Sequence, residues 1–263
     1  MKSDIERYIS VSAKIDTSDI DWDQAKEAGL TEDEKFLLTY FSDVESQTIR
    51  YLKVLLGMKI AFTPSVAAFL TTWSYEEFFH GYELGKLMAV CGSPLEEDRI
   101  ESMTRKARFN EWLEATFAPL LSRIFSNQFP AVYLSFGAVQ EMTTLRGYEF
   151  LHRYTQNPVL RILCERIAKQ ERRHFAWYFN HARELLLQSS GARILARKLL
   201  EFNWVPVGAG IKSREDVKKL FMTLFPRESA RDLVREIDSK MGTLPGLEGI
   251  KLMEPYFERM GAL

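Results

Sequence analysis

The sequence predicts an all-α protein from three observations: long stretches with apolar residues at helical spacing, cap and breaker residues bounding them, and no sustained period-2 alternation. Residues 31 to 57 open with Thr31-Glu32-Asp33-Glu34, an N-cap followed by acids that suit a helix dipole, and the apolar spacing continues to Gly57. One long helix is expected there. Thr63-Pro64 starts a second, with Pro at the first helical position, and Gly92-Ser93-Pro94 stops it after about Cys91. From Leu95 to about Asn127 the pattern is shorter and more charged, with Pro119 as a break, which predicts two short crossover helices. Two more long helices follow, over roughly 129 to 154, ending at Asn157-Pro158, and 159 to 189, ending at Ser189-Ser190-Gly191. Shorter amphipathic stretches come after, at about 192–202, 213–224, 227–240 and 247–260. The reading is one domain over 1–263, with a core bundle at about 31–190 and a helical C-terminal extension at about 191–263.

Composition narrows the function classes. The chain has 263 residues, 46% hydrophobic and 27% charged, which suits a packed globular protein. Its 35 Lys and Arg against 36 Asp and Glu give no global field for nucleic acid or an anionic membrane. No run reaches the ~18 apolar residues of a membrane span, and Met1 to Glu6 lacks the apolar stretch of a signal peptide. A cytoplasmic protein with no nucleic-acid or membrane partner is expected. Cys91 and Cys164 are too few for a disulfide framework and read as buried free thiols.

Chemistry concentrates in the long helices. Glu77 and His80 are three apart, so on a helix they project from one face and can bind one ion, and Glu171 and His174 repeat that spacing. A random chain with four histidines and Glu at roughly one position in ten would hold about 0.4 such pairs. Three occur, the third being Glu149 and His152, so the pairs alone decide little. The single glutamates between them decide more. Glu45 lies 32 residues before Glu77, and Glu141 lies 30 before Glu171, so each half reads as a helix with one Glu followed by a helix with Glu-x-x-His.

Four carboxylates and two imidazoles from four helices are the ligand set of ferritin-like di-iron and di-manganese bundles. The expected metal ligands are Glu45, Glu77, His80, Glu141, Glu171 and His174, holding two iron ions or a manganese–iron pair. The absence of thiolates argues against structural zinc. The carboxylates are expected among Phe41, Phe78, Phe79, Leu145 and Trp177, where burial without cations would be prohibitive. Glu149 and His152 lie two to three turns beyond Glu141 and cannot face the same site, and His181, two turns past His174, reads as a core histidine. Glu76 and Gln170 each precede a ligand Glu, where a hydrogen bond to a ligand imidazole can be made.

Glu76-Glu77-Phe78-Phe79-His80-Gly81 and Gln170-Glu171-Arg172-Arg173-His174 resemble the two motifs of the soluble acyl-carrier-protein desaturases, approximately Glu-Glu-x-x-His-Gly and Asp-Glu-x-Arg-His. Gln140-Glu141-Met142-Thr143-Thr144 is similar to that family's Gln-Glu-Arg-Ala-Thr. The resemblance covers residues 35 to 185. It implies a ferritin-like four-helix bundle, the six ligands above, and Thr144 as a catalytic hydroxyl assisting proton delivery. The family's Asp before the last Glu is Gln170 here, at a place that belongs to its hydrogen-bonded path to a ligand histidine. The stretch from His80 to Glu141 is closer in length to the R2-like ligand-binding oxidases, whose Tyr near the site falls at Phe136 in this chain.

The implied activity is O2-dependent oxidation of a C–H bond in a fatty-acyl or similar apolar substrate, with ferredoxin as a possible type of electron donor. An R2-like oxidase and a ferroxidase without organic substrate are the alternatives. Phe62, Phe69, Trp73, Phe129, Phe136 and Met142 offer either an acyl slot or plain core. An acidic carrier protein would dock on a basic patch, for which Arg99, Arg105, Lys106 and Arg108, or Arg193, Arg197 and Lys198, are the candidates, and solvated helix faces account for them equally. A homodimer is expected.

Overall fold

A computed structural model describes residues 4–96, 99, 127–225 and 227–263, and all regular structure among them is helical. The crossover expected between about 95 and 127, with Pro119, lies almost wholly outside the described residues, as do Arg105, Lys106 and Arg108. No described helix is long and apolar enough to cross a membrane.

The elements are α1 (Asp4–Val11), α2 (Trp22–Ala28), α3 (Glu32–Ser46), α4 (Thr48–Leu56), a 3-10 turn (Lys59–Phe62), α5 (Pro64–Val90), α6 (Phe129–Tyr154), α7 (Pro158–Gln188), α8 (Ser190–Asn203), α9 (Arg214–Leu224), α10 (Arg227–Met241) and α11 (Met253–Arg259). Thr31 caps α3 through a reciprocal pair: its hydroxyl accepts from the Glu34 N–H, and the Glu34 carboxylate accepts from the Thr31 N–H. The single helix expected over 31–57 is divided at Gln47. There the Ser46 hydroxyl donates back to the Ser42 carbonyl at 2.6 Å, and the Gln47 N–H bonds three residues back to Val44 instead of four. The end of α5 follows expectation: Gly92 takes φ 75°, and the Ser93 and Gly92 N–H groups bond to Met88 and Ala89, closing the carbonyl end of the helix. Asn157 does more than stop α6. Its carbonyl oxygen caps α7 by accepting from Val159 and Leu160, while its amide donates to the carbonyls of Ala25 and Gly29.

The chain forms two compact units, Met1–Ala115 with Tyr148–Gln170, and Thr116–Gly147 with Glu171–Leu263. In the first, α3 lies along α5, and a glycine sets their closest approach: a β-carbon at Gly81 would stand 3.2 Å from the Glu45 β-carbon and 3.3 Å from the Ser42 carbonyl oxygen. The Ser42 hydroxyl donates to the Gly81 carbonyl at 3.1 Å, so the contact that packs the helices also fixes Glu45 beside the turn carrying His80. Leu37, Leu38, Phe69, Leu70, Leu84 and Leu87 form the apolar filling.

In the second unit, the early part of α6 meets the later part of α7 at Gly137. A β-carbon there would stand 2.4 Å from the ring of the buried Tyr178. Gly137→Ala is therefore expected to destabilise the protein by about 1–3 kcal/mol through overpacking, read as a lower urea midpoint, despite the better helix propensity of alanine. An unchanged midpoint would show that the ring moves freely. Asp238 on α10 accepts from the N–H groups of Leu252, Met253 and Glu254 and so fixes the start of α11, and Phe221 stacks on Phe257.

Candidate metal centre

The first unit brings Glu45, Glu77 and His80 together. Their ligand-type atoms lie within 4.8 Å of one another, and all three residues are buried. Glu77 and His80 share the inner face of α5 through their i,i+3 spacing, and Glu45 faces them from α3.

The orientation of His80 follows from its neighbours. The Gln170 amide nitrogen donates to the Ala13 carbonyl at 2.7 Å, which turns the Gln170 carbonyl oxygen toward His80. That oxygen lies 2.7 Å from His80 Nε2 and can only accept, so Nε2 carries the proton and Nδ1 the lone pair. Nδ1 faces Glu45 Oε2 and Glu77 Oε2 at 3.9 Å each. Two ligand atoms that bind one ion at about 2.1 Å stand roughly 3–4 Å apart, so this spacing suits a shared cation. The other oxygen of Glu45 accepts from the Tyr148 hydroxyl at 2.6 Å, and the fully buried Tyr148 ring stacks on Phe41.

The second unit repeats the pattern with Glu141 on α6 and Glu171 and His174 on α7. His174 Nδ1 lies 3.5 Å from Glu141 Oε2 and 3.4 Å from Glu171 Oε2, and both Glu171 and His174 are wholly buried. Burial pushes the Glu141 carboxyl up to about 8; His174 opposes that rise and the Glu171 charge adds to it. Carboxylates so placed need a positive charge to be ionised at neutral pH, and a metal ion would supply it. The donor set, two carboxylates and an imidazole in each triad, fits iron or manganese.

All six expected ligands thus fall into one triad or the other. Thr144, three residues after Glu141, is half-buried on the same helix. Among the residues set aside, His152 Nδ1 bonds to the Arg161 carbonyl, Glu149 faces Arg153 at 4.0 Å, and His181 stacks on Trp177 at 4.0 Å. Cys164 is a buried free thiol as expected, whereas Cys91, at the end of α5, is free but only half-buried; desolvation raises the pKa of both.

Two expectations change. Phe78, expected to shield the carboxylates, is 61% exposed because it sits on the outer face of α5, whereas Phe41, Leu145 and Trp177 are buried. Phe62, expected to line a slot or core, is 82% exposed at the end of the 3-10 turn, while Phe69, Trp73, Phe129 and Met142 are buried. Of the described basic candidates, Arg99 pairs with Asp43 at 2.8 Å, Arg197 with Glu201 at 3.0 Å, and Arg193 donates to the Leu186 carbonyl.

Sequence reasoning missed Tyr148, Tyr8 and Ala13. Tyr148 lies seven residues after Glu141, two turns along one helix face, and that spacing was the available signal. The Tyr8 hydroxyl donates to the buried Glu76 at 2.9 Å, so α1 holds the residue next to Glu77 just as Ala13 holds Gln170.

No protein-family model and no curated protein matches this chain. Its fold and side chains define an all-helical protein with buried Glu and His groups able to hold metal.

Proposed function

We propose that the protein is an O2-dependent di-iron oxidoreductase, similar to the acyl-carrier-protein desaturases, in which each Glu/Glu/His triad holds one iron ion. The observation that carries this reading is the duplicated triad: twice, two buried carboxylates converge on an imidazole Nδ1. The pseudo-repeat of Glu followed by Glu-x-x-His supports it from the sequence.

Two iron ions so held would supply O2 activation and the oxidising power to remove hydrogen from an unactivated C–H bond. Glu45, Glu77 and His80 bind one ion, and Glu141, Glu171 and His174 bind the other. Gln170 holds the His80 ring in the tautomer that leaves Nδ1 for metal, and Tyr148 fixes the rotation of the Glu45 carboxylate. Thr144, one turn after Glu141, is the hydroxyl to which the resemblance gives proton delivery. The buried aromatic and aliphatic side chains around both triads keep water away. An apolar substrate, free or carried on an acyl carrier protein, and an electron donor of the ferredoxin type complete the reading.

The test is metal analysis of protein loaded with ferrous iron, followed by the absorption change when the reduced form meets O2. Two irons per chain and a new absorption band are expected, and desaturation of acyl-carrier substrates is then screened. A chain that binds no iron refutes the reading, and two irons with no turnover of any organic substrate would favour iron handling.

A further inference from the structure

The group behind His80 is uncharged. Gln170 Oε1 lies 2.7 Å from His80 Nε2, and the Ala13 carbonyl, 2.7 Å from the Gln170 amide nitrogen, holds the amide in that orientation. An amide oxygen accepts the hydrogen bond from Nε2 without drawing the proton toward itself, so Nδ1 keeps the donor strength of an ordinary neutral imidazole. A carboxylate in its place would draw that proton and make Nδ1 a stronger base toward a cation. Glu45 is weakened in the same sense. Its Oε1 accepts the Tyr148 hydroxyl at 2.6 Å, and so short a bond, from a phenol wholly buried against Phe41, takes up part of the carboxylate charge. Two of the three donors of this triad therefore face a cation with reduced strength, each for a separate reason.

Spacing separates the two triads as well. His80 Nδ1 stands 3.9 Å from each of its carboxylates, whereas His174 Nδ1 stands 3.5 and 3.4 Å from Glu141 and Glu171. Atoms that share an ion at about 2.1 Å stand roughly 3–4 Å apart, so the His174 triad sits well inside that range and has less to rearrange on binding. We propose, on the reading of both triads as metal sites, that Glu45, Glu77 and His80 form the weaker, exchangeable position, that the neutral Gln170 amide makes it so, and that divalent cations load in order, the His174 triad first. The ion in the weaker position equilibrates with the surrounding pool, so supply decides whether it is manganese or iron, while the tighter position keeps the ion it first receives. Gln170 is thus a positioning residue with a second effect: the same bond that turns Nδ1 toward the cation also limits how strongly Nδ1 holds it.

The test titrates the metal-free, full-length chain with cobalt(II) alone, without O2 or substrate, following visible absorption against a chelator of known affinity. Two equivalents should bind in steps whose dissociation constants differ by about 10-fold or more. His80→Ala should delete the weaker step and leave the tighter, and His174→Ala should do the reverse. Gln170→Glu should tighten the weaker step by about 10- to 100-fold and leave the other unmoved, while Gln170→Leu should loosen the weaker step by a similar factor. A purely structural role for Gln170 predicts loosening in both variants and no tightening in either. If Gln170→Glu fails to fold, the two histidine variants still decide the order. Two equivalents of equal affinity, a tighter step lost with His80, or a weaker step that Gln170→Glu leaves unmoved or loosens would overturn the proposal. A chain that takes up no cobalt refutes the metal reading itself, and the loading order with it.

Discussion

His174→Ala is expected to lower bound iron from two ions per chain to one or none and to abolish the absorption change with O2. The imidazole Nδ1 stands 3.5 and 3.4 Å from the two carboxylates of its triad, and its removal leaves those buried groups without their nitrogen partner. Loss of a ligand of this kind costs far more than the 10- to 100-fold in affinity typical of outer partners. His152→Ala and His181→Ala are the matched controls. Both belong to histidines whose Nδ1 bonds to a helix or loop carbonyl, and each should retain two irons. Equal iron in all three variants would remove the basis for the metal reading.

The metal-free protein is expected to lose stability as the pH rises from about 4.5 to about 8. Burial raises the folded-state pKa of Glu141 from 4.5 to about 8, so within that window the folded chain holds a proton that the unfolded chain releases. Stability from this group is complete below the unfolded value and is lost on passing through the folded one, by an amount on the order of a few kcal/mol. Urea midpoints of metal-free wild type at pH 5.5 and pH 8, set against those of Glu141→Gln, isolate the effect from other titrating groups such as Glu83, whose carboxyl burial also raises. The variant should show the shallower slope. Iron loading should flatten the wild-type profile too, because the metal stabilises the ionised carboxylate. A midpoint that rises with pH by the same amount in both proteins would contradict the assignment.

Much of the architecture was legible because the long helices carry their own punctuation. Pro64 and Gly92 bound α5, and Asn157-Pro158 separates α6 from α7, within a residue of expectation. The break at Gln47 was not legible, because Ser42 and Ser46 fit a helical pattern, and only their back-bonding and the local three-residue hydrogen bonds divide the segment. α1 and α2, at eight and seven residues, are too short for periodicity to rise above chance. The Glu/His pairs at the heart of the two candidate triads were readable because Glu-x-x-His spacing is a local property of one helix. The residues that orient them were not. Gln170 was placed as a hydrogen-bonding neighbour, yet nothing in its sequence context says that its partner is His80, 90 residues away, or that Ala13 sets which way its amide points. The exposure of Phe78 shows the same limit: hydrophobicity identifies a residue that seeks cover, and only the packing of α3 on α5 decides which side of the helix receives it.

The bonds that orient the first triad all span long stretches of chain. Tyr8 reaches Glu76 across 68 residues, His80 reaches Gln170 across 90, Tyr148 reaches Glu45 across 103, and Gln170 reaches Ala13 across 157. Each closure must first overcome the entropy of a large loop. On the ribosome, α1 and Ala13 emerge early but wait for residue 170 before His80 can be locked, so a nascent chain holds Glu45, Glu77 and His80 in an unoriented state for most of its synthesis. A cation bound there would thus meet an oriented triad only once residue 170 has left the ribosome, and not while α3 and α5 are first emerging.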